Sequence, residues 1–212
     1  MSALLRTTRE YEPPLTVDEF ERLPGGEGKQ ELHDGRVVEM APGGGAHGVV
    51  VIELGARLRD HVRARGGRAY GRVTTETGYV LWPDRPRESR APDLAFISAE
   101  HAPRPWPRRL VRAVPDLAVE VRSPDDRPGD IRLKVREYLD AGVPLVWVLD
   151  PGREAVVYDG RAGAVTRLGA GHVLDGGTVL PGFRLPLADL WAEAEDAEDG
   201  ERVEDGDPDS GA

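Results

Sequence analysis

Two short segments share the letters PDLA. They are Pro92-Asp93-Leu94-Ala95 and Pro115-Asp116-Leu117-Ala118, and the second continues into Val119-Glu120-Val121-Arg122. Proline is tolerated at the first position of a strand, where its missing N–H costs no interior ladder bond. Side chains alternate along a strand, so Asp116, Ala118, Glu120 and Arg122 share one face and Leu117, Val119 and Val121 the other. The apolar face is expected to turn to the core, and the Asp/Glu/Arg face is where chemistry would sit. Asp116 lies four positions from Glu120, roughly 13 Å along a strand, too far to share one ion. Asp93 is on another strand. If the two strands pair at roughly 4.8 Å, Asp93 and Glu120 converge on one hard cation. Oxygen ligands of this kind suit Mg²⁺, which takes one or two carboxylates and keeps water or phosphate for its other positions. The alternative is a pair of strand-end carboxylates in solvent.

A helix is expected over "DIRLKVREYLDAG", closed by Gly142. On it Asp130, Lys134 and Tyr138 lie at i, i+4 and i+8, on one face beside the apolar stripe of Ile131, Val135 and Leu139. Lys134 then sits at the edge of the core, on the element that follows the Glu120 strand. It could orient an attacking water and offset charge at phosphorus, or it could be a snorkelling lysine or a partner of Glu137. Composition adds a hint. Of the 28 basic residues only Lys29 and Lys134 are lysines. Where arginine is the default cation, a lysine marks a place that wants a compact ammonium.

The elements that must position these groups follow from periodicity. "LTVDEFERLP" reads as a short helix with Thr16 and Glu19 forming a capping box. "KQELHDGRVVEM" reads as a hairpin around Asp34-Gly35, a type I′ turn signal. Val50, Val51, Leu54, Leu58, His61 and Val62 repeat at helical spacing, predicting a helix from about His47 to Arg65 that Gly66-Gly67 ends. "RAYGRV", "ETGYVLW", "APDLAFIS" and the apolar "PLVWVLD" read as strands, and "EAVVYDG" with "AVTRLG" as a late hairpin. The sum is an α/β chain around a mixed sheet, without strict βαβ alternation. Gly43, Gly45 and Gly48 fit G-x-G-x-x-G letter for letter. The acid expected about 20 residues on is missing, and so is a second βαβ half. A nucleotide site is therefore disfavoured against a plain loop entering a helix.

At 212 residues the chain fits one domain. The expected division is an N-terminal extension over 1–14, a folded domain over 15–191 and an acidic disordered tail over 192–212. The net charge of −10 is concentrated in that tail, which leaves the body near neutral and open to nucleic acid. There is no cysteine, which excludes disulfides and thiolate metal sites. With no long apolar run, neither a signal peptide nor a transmembrane helix is expected, and the reading is a soluble cytoplasmic protein.

Together, "ELHDGRVVEM", the glycine/proline loop with His47, "APDLAFI", "PDLAVEVRSP", the D-x-x-x-K-x-x-x-Y-x-x-A-G-V-P-x-x-W-V-x-D-P run and "LPGFRLPLADLW" resemble the Uma-type "putative restriction endonuclease" family of the PD-(D/E)XK nuclease superfamily. The resemblance covers about residues 15–191. It implies a restriction-endonuclease-like fold and a Mg²⁺- or Mn²⁺-dependent endonuclease acting on DNA. In that reading Asp93, Glu120 and the Val121 carbonyl hold the metal, with Glu31 as a further ligand. Arg122 stands where the superfamily motif has lysine, and Lys134 on the next helix takes that role. His47 and Tyr138 are ancillary; a helix-end hydrogen bond is the alternative for His47. Arg104, Arg108, Arg109 and Arg112, with Trp106, are candidates for gripping the phosphate backbone, against an ordinary solvated loop. Cutting both strands usually takes two sites, so a homodimer is expected. The competing function is a catalytically inactive nucleic-acid-binding module on the same fold.

Overall fold

The computed structural model describes residues 7–24, 28–124 and 126–198. A six-stranded mixed sheet forms its centre, in the order β4 (Gly71–Thr75), β5 (Leu94–Ser98), β6 (Leu117–Val121), β7 (Leu145–Asp150), β8 (Glu154–Asp159), β9 (Ala164–Gly169). Only β6 and β7 run parallel. They are joined by helix α3 (Pro128–Asp140), the kind of crossover a parallel pair requires. All other neighbours are antiparallel.

Both faces of this sheet are covered. Leu117, Val119 and Val121 join Leu145, Trp147 and Leu149 in a core packed by α2 (Gly45–Ala64) and α4 (Leu187–Glu198). Ala95, Ala118, Val146 and Val148 point the other way, into a second core with Ile131, Val135 and Tyr138 of α3. The Glu120 face is thus interior too. The alternative of strand-end carboxylates in solvent therefore does not hold, because α3 lies over the second face.

A smaller sheet, β1 (Thr7–Arg9), β3 (Arg36–Glu39) and β2 (Gln30–His33), forms a third core in which its Leu32 and Val37 cluster with Val17 and Phe20. Its hairpin turns at Asp34 (φ 48°) and Gly35 (φ 76°), both in the left-handed region that a type I′ turn demands. Helix α1 (Val17–Phe20) carries the capping box at Thr16 and Glu19. The hairpin is tied to the segment that leads into β5. Leu32 donates its N–H to the Ser89 carbonyl, and the Arg90 guanidinium donates back to the Leu32 carbonyl.

Four boundaries differ from expectation. Residues 7–9 belong to the first sheet as β1, paired with β3, so the extension is shorter than 1–14. The acidic segment from Ala192 continues α4 through Glu198, because Ala194 is buried against the α2 layer; residues 199–212 lie outside the described residues. Helix α2 begins at Gly45, two residues before His47. "ETGYVLW" forms no strand: Glu76 turns the chain at φ 47°, leaving single-residue bridges at Tyr79 to Arg90 and Val111. No helix among the described residues is long and apolar enough to cross a membrane.

Candidate active site

The site starts from strand register. Strands β5 and β6 pair with Leu94 opposite Val119 and Ala95 opposite Ala118. One more step sets Asp93 opposite Glu120, and both share the face of Ala95 and Ala118, toward α3. The two alanines leave room there for Tyr138 and Tyr79, which pack against them. Where β5 ends, β6 still has a free N–H at Val121. The Asp93 carboxylate accepts it through Oδ2 at 2.7 Å, replacing the missing strand carbonyl. The Asp93 carbonyl in turn accepts the Thr75 hydroxyl at 2.9 Å and the Glu76 N–H at 3.2 Å. The aspartate is thus fixed from both neighbouring strands.

Four charged side chains are buried together. Glu31 is 0 %, Glu120 3 %, Asp93 5 % and Lys134 7 % exposed. The Lys134 ammonium lies 3.2 Å from both carboxylate oxygens of Glu120 and 3.2 Å from Glu31 Oε1. The Tyr138 hydroxyl donates to Glu120 Oε1 at 2.6 Å. Glu31 also accepts the Ala91 N–H at 3.1 Å and meets the His33 ring at 2.7 Å. Asp93 meets the Lys29 ammonium at Oδ1, 2.6 Å away, and His47 Nε2 at Oδ2, 3.3 Å away. His47 reaches it from the first turn of α2. A Cβ at Gly43 would run into the His47 ring. Gly45 and Gly48 face open space, so of the three fingerprint glycines only Gly43 is set by packing.

The electrostatics follow from this crowd. Burial disfavours charge on all of them, and the partners decide who stays ionised. For Asp93, burial is outweighed by Lys29, His47 and Lys134, and its carboxyl is held well below the usual range. Burial of Glu31 is likewise outweighed, by Lys134 and His33 with Lys29, leaving it well below the usual range. Glu120 is raised: burial dominates, Lys134 and Lys29 offset only part of it, and Asp93 and Glu31 add repulsion. Burial opposes the Lys134 charge, yet Glu120 and Glu31 hold its pKa above the ordinary value. Burial, with Glu120 adding to it, pushes the Tyr138 phenol well above its ordinary range.

The sequence-derived residues divide clearly. Asp93, Glu120, Lys134, Glu31, His47 and Tyr138 are brought together. Glu137 is not the partner of Lys134; it forms a two-pronged pair with Arg90, at 2.7 and 2.8 Å. His47 does not close its own helix end but crosses to Asp93. Arg122, although on the Glu120 face, lies past the end of β6 and pairs with Asp150 Oδ2 at 2.6 Å. The arginine loop is not drawn into the cluster. Arg112 pairs with Asp18 at 2.6 Å and Glu21 at 2.8 Å, and Arg104 donates to the Ala99 carbonyl. The face of Trp106 is taken by Arg72, whose guanidinium lies 4.7 Å from the ring centroid. The residue missed by spacing is Lys29, which precedes β2 and belongs to no periodic element. Its signal was composition: both lysines of the chain stand on these carboxylates.

The donor set suits a hard divalent cation. Two carboxylates face each other across a strand pair, a third is joined to Glu120 through Lys134, and an ammonium already stands against Asp93 Oδ1 and against Glu120, the latter beside the Tyr138 hydroxyl. Among the described residues no three His, Asp or Glu side chains form a ready metal cage. An ion here would have few protein ligands and would keep water or phosphate, as Mg²⁺ does.

Residues 17–188 match the family Uma2, described as "Putative restriction endonuclease", and the chain belongs to that family. Its fold is similar to the crystal structure of "a putative nuclease belonging to DUF820" from Anabaena variabilis ATCC 29413. The TM-score is 0.72 at 20% identity, over 85% of this chain and 99% of that one. No curated protein matches the chain.

Proposed function

We propose that this chain is a metal-dependent endonuclease that hydrolyses phosphodiester bonds in DNA, with Asp93, Glu120 and Lys134 as its working residues. The observation that carries the reading is the pairing of Asp93 with Glu120 across the β5–β6 ends, with Lys134 returning from the following helix onto Glu120. In this reading Asp93 and Glu120 hold Mg²⁺ or Mn²⁺, and Glu31 stands behind them through Lys134. The N–H and C=O of a strand residue face the same antiparallel neighbour. The Val121 carbonyl therefore lies on the side of Asp93, whose carboxylate takes the Val121 N–H. A bound divalent cation would supply acidification of a water and neutralisation of charge on the phosphate.

The chain's own residues do the rest. Lys134 stays protonated, since two carboxylates support its charge, and it donates to the attacking water while opposing negative charge at phosphorus. Tyr138 stays a neutral phenol and holds Glu120 in one orientation. His47 and the Val121 N–H fix Asp93 Oδ2, leaving Oδ1 for the cation. Phosphate contact from the basic loop falls to Arg108 and Arg109, because Arg112 and Arg104 already have partners in the chain. Cutting a duplex on both strands calls for two such sites, hence a homodimer, in the cytoplasm where its DNA lies.

The test is plasmid nicking with Mg²⁺ or Mn²⁺ by wild type, Asp93→Ala and Lys134→Ala. Nicking by the wild type alone supports the assignment, and equal nicking by all three removes it. Metal-dependent DNA binding without any cleavage would identify the inactive binding module instead.

A further inference from the structure

We infer that Lys29 is a resident cation of Asp93, which a divalent metal must displace to enter the site. The inference rests on the metal-dependent reading above and adds to it a competitor carried by the chain itself.

The two lysines on the cluster are held very differently. Lys134 is buried on α3 and touches two carboxylates, Glu120 and Glu31, so its ammonium is fixed from both sides. Lys29 touches one, Asp93 Oδ1, at 2.6 Å, and its side chain is 11 % exposed. Its backbone is anchored where the small sheet begins: the Lys29 carbonyl accepts the Met40 N–H at 2.9 Å. What can move is the flexible four-carbon stem.

Asp93 has two oxygens with different duties. Oδ2 closes the end of the β5–β6 ladder through the Val121 N–H and meets His47. Oδ1 is engaged by Lys29. It is the oxygen that can change partner without opening the sheet. The Lys29 ammonium stands 2.6 Å from Oδ1, closer than the 3.2 Å of Lys134 from each oxygen of Glu120. It is therefore the ammonium that crowds an ion arriving on its oxygen, and repulsion between cations that close is large in a buried place. A metal on Oδ1 therefore takes the place of the Lys29 ammonium, and the lysine swings out. With no metal bound, the ammonium keeps a buried carboxylate paired, which a site lacking it would leave exposed to an uncompensated charge. A guanidinium would hold Asp93 by two prongs and release it less readily, which fits a lysine in a chain that elsewhere uses arginine.

Chemistry on the two lysines reads this out directly, without DNA or turnover. The full chain is treated with an amine-acetylating ester in EDTA and then with Mn²⁺ or Mg²⁺, and modification at Lys29 and Lys134 is followed by peptide mass spectrometry. The expected result is several-fold faster acetylation of Lys29 with metal, while Lys134 stays protected in both. In parallel, calorimetry with Mn²⁺ compares wild type with Lys29→Gln. Removing the competitor should tighten binding about tenfold, the scale of one charge-assisted hydrogen bond. Lys29 reactivity that is unchanged or lowered by metal overturns the inference, as does a Lys29→Gln chain that binds Mn²⁺ no more tightly. Those results leave the metal-dependent reading standing. If Mn²⁺ binds neither chain, that reading falls and the inference falls with it.

Discussion

The two PDLA segments are a natural comparison, because the chain uses the same four letters twice at opposite ends of one strand pair. Each aspartate closes the ladder for the other strand. Asp93 accepts the Val121 N–H at 2.7 Å, and Asp116 accepts the Ser98 N–H at 2.7 Å. They are almost equally buried, at 5 % and 6 %. The local sequence therefore specifies one job, a carboxylate standing in for a missing strand carbonyl. The difference lies in the second oxygen. At Asp116 it meets the half-exposed ring of His101. At Asp93 it meets Lys29, on a face where Glu120, Lys134 and Glu31 are also buried. The difference between the two ends thus comes from what other elements bring there, and not from the aspartate or its burial.

The sharpest way to break the comparison is to remove each carboxylate. Asp93→Ala should lower Mg²⁺-dependent nicking by roughly 10²–10³-fold or more, the scale of losing one preorganised electrostatic group. Asp116→Ala should leave nicking within a few-fold once the fraction folded is matched. Comparable losses in both would place the chemistry at the wrong end or at neither.

Stability should separate the ends next. Lys134→Met leaves Glu31 and Glu120 buried without their shared cation, which should cost roughly 3–5 kcal/mol in chemical denaturation. At the Asp116 end, His101→Ala removes a partly solvated pair and should cost about 1 kcal/mol or less. A Lys134→Met chain as stable as His101→Ala would mean that the buried carboxylates take up protons at no cost. Acid response extends this. Glu31 is held below its ordinary pKa by Lys134 and His33 despite burial. Its ionised form therefore stabilises the fold above the usual carboxylate range, and that contribution is lost as pH falls through the depressed value. Glu31→Gln should lower the melting temperature near neutrality and reduce its fall between about pH 5 and pH 2. Glu120, raised by burial, works in the opposite sense, and losing the Glu31 charge removes one of the repulsions that raise it. An acid limb as steep as in wild type would show that Glu31 is not the group titrating there.

The comparison also shows what the sequence can carry. Local signals were legible. The Asp34-Gly35 turn and the Thr16/Glu19 capping box are set within a few residues, and the structure has both. The Asp93–Glu120 encounter was legible as a consequence of strand adjacency, and Lys134 as a consequence of helical spacing after Glu120. What failed depends on distant contacts. The alternative of solvent-exposed strand-end carboxylates stayed open because nothing in β6 announces α3 lying over Glu120. The acidic start at Ala192 looked unstructured because Ala194 owes its burial to α2, far away in sequence. Arg122 shared the right face but stood one step past the strand end, where Asp150 is nearer. Lys29 left no periodic trace, because its place on Asp93 is fixed by the small sheet docking onto the segment before β5; only the scarcity of lysine marked it.

The smallest expected effect tests the shared job of the two aspartates. Asparagine keeps the shape of aspartate and one carbonyl oxygen able to accept a backbone N–H, but gives up the charge. At position 116 that should be nearly silent. The Ser98 N–H keeps its acceptor, the His101 ring keeps a polar neighbour, and the loss should stay at about 1 kcal/mol or below, the scale of one ordinary hydrogen bond. Nicking by Asp116→Asn should match wild type within about twofold, a change of less than half a kcal/mol in barrier. The same substitution at position 93 keeps the ladder closed through Val121 yet leaves the Lys29 ammonium without its carboxylate and the proposed cation short of one of its charged ligands. Asp93→Asn should therefore fold, with its strand ends intact by amide hydrogen exchange at Val121, and fail to nick. Retained nicking in Asp93→Asn would show that the end-closing role is all that Asp93 performs. Lost protection at Val121 would show that the charge, and not the acceptor geometry, holds the two strands together at that end.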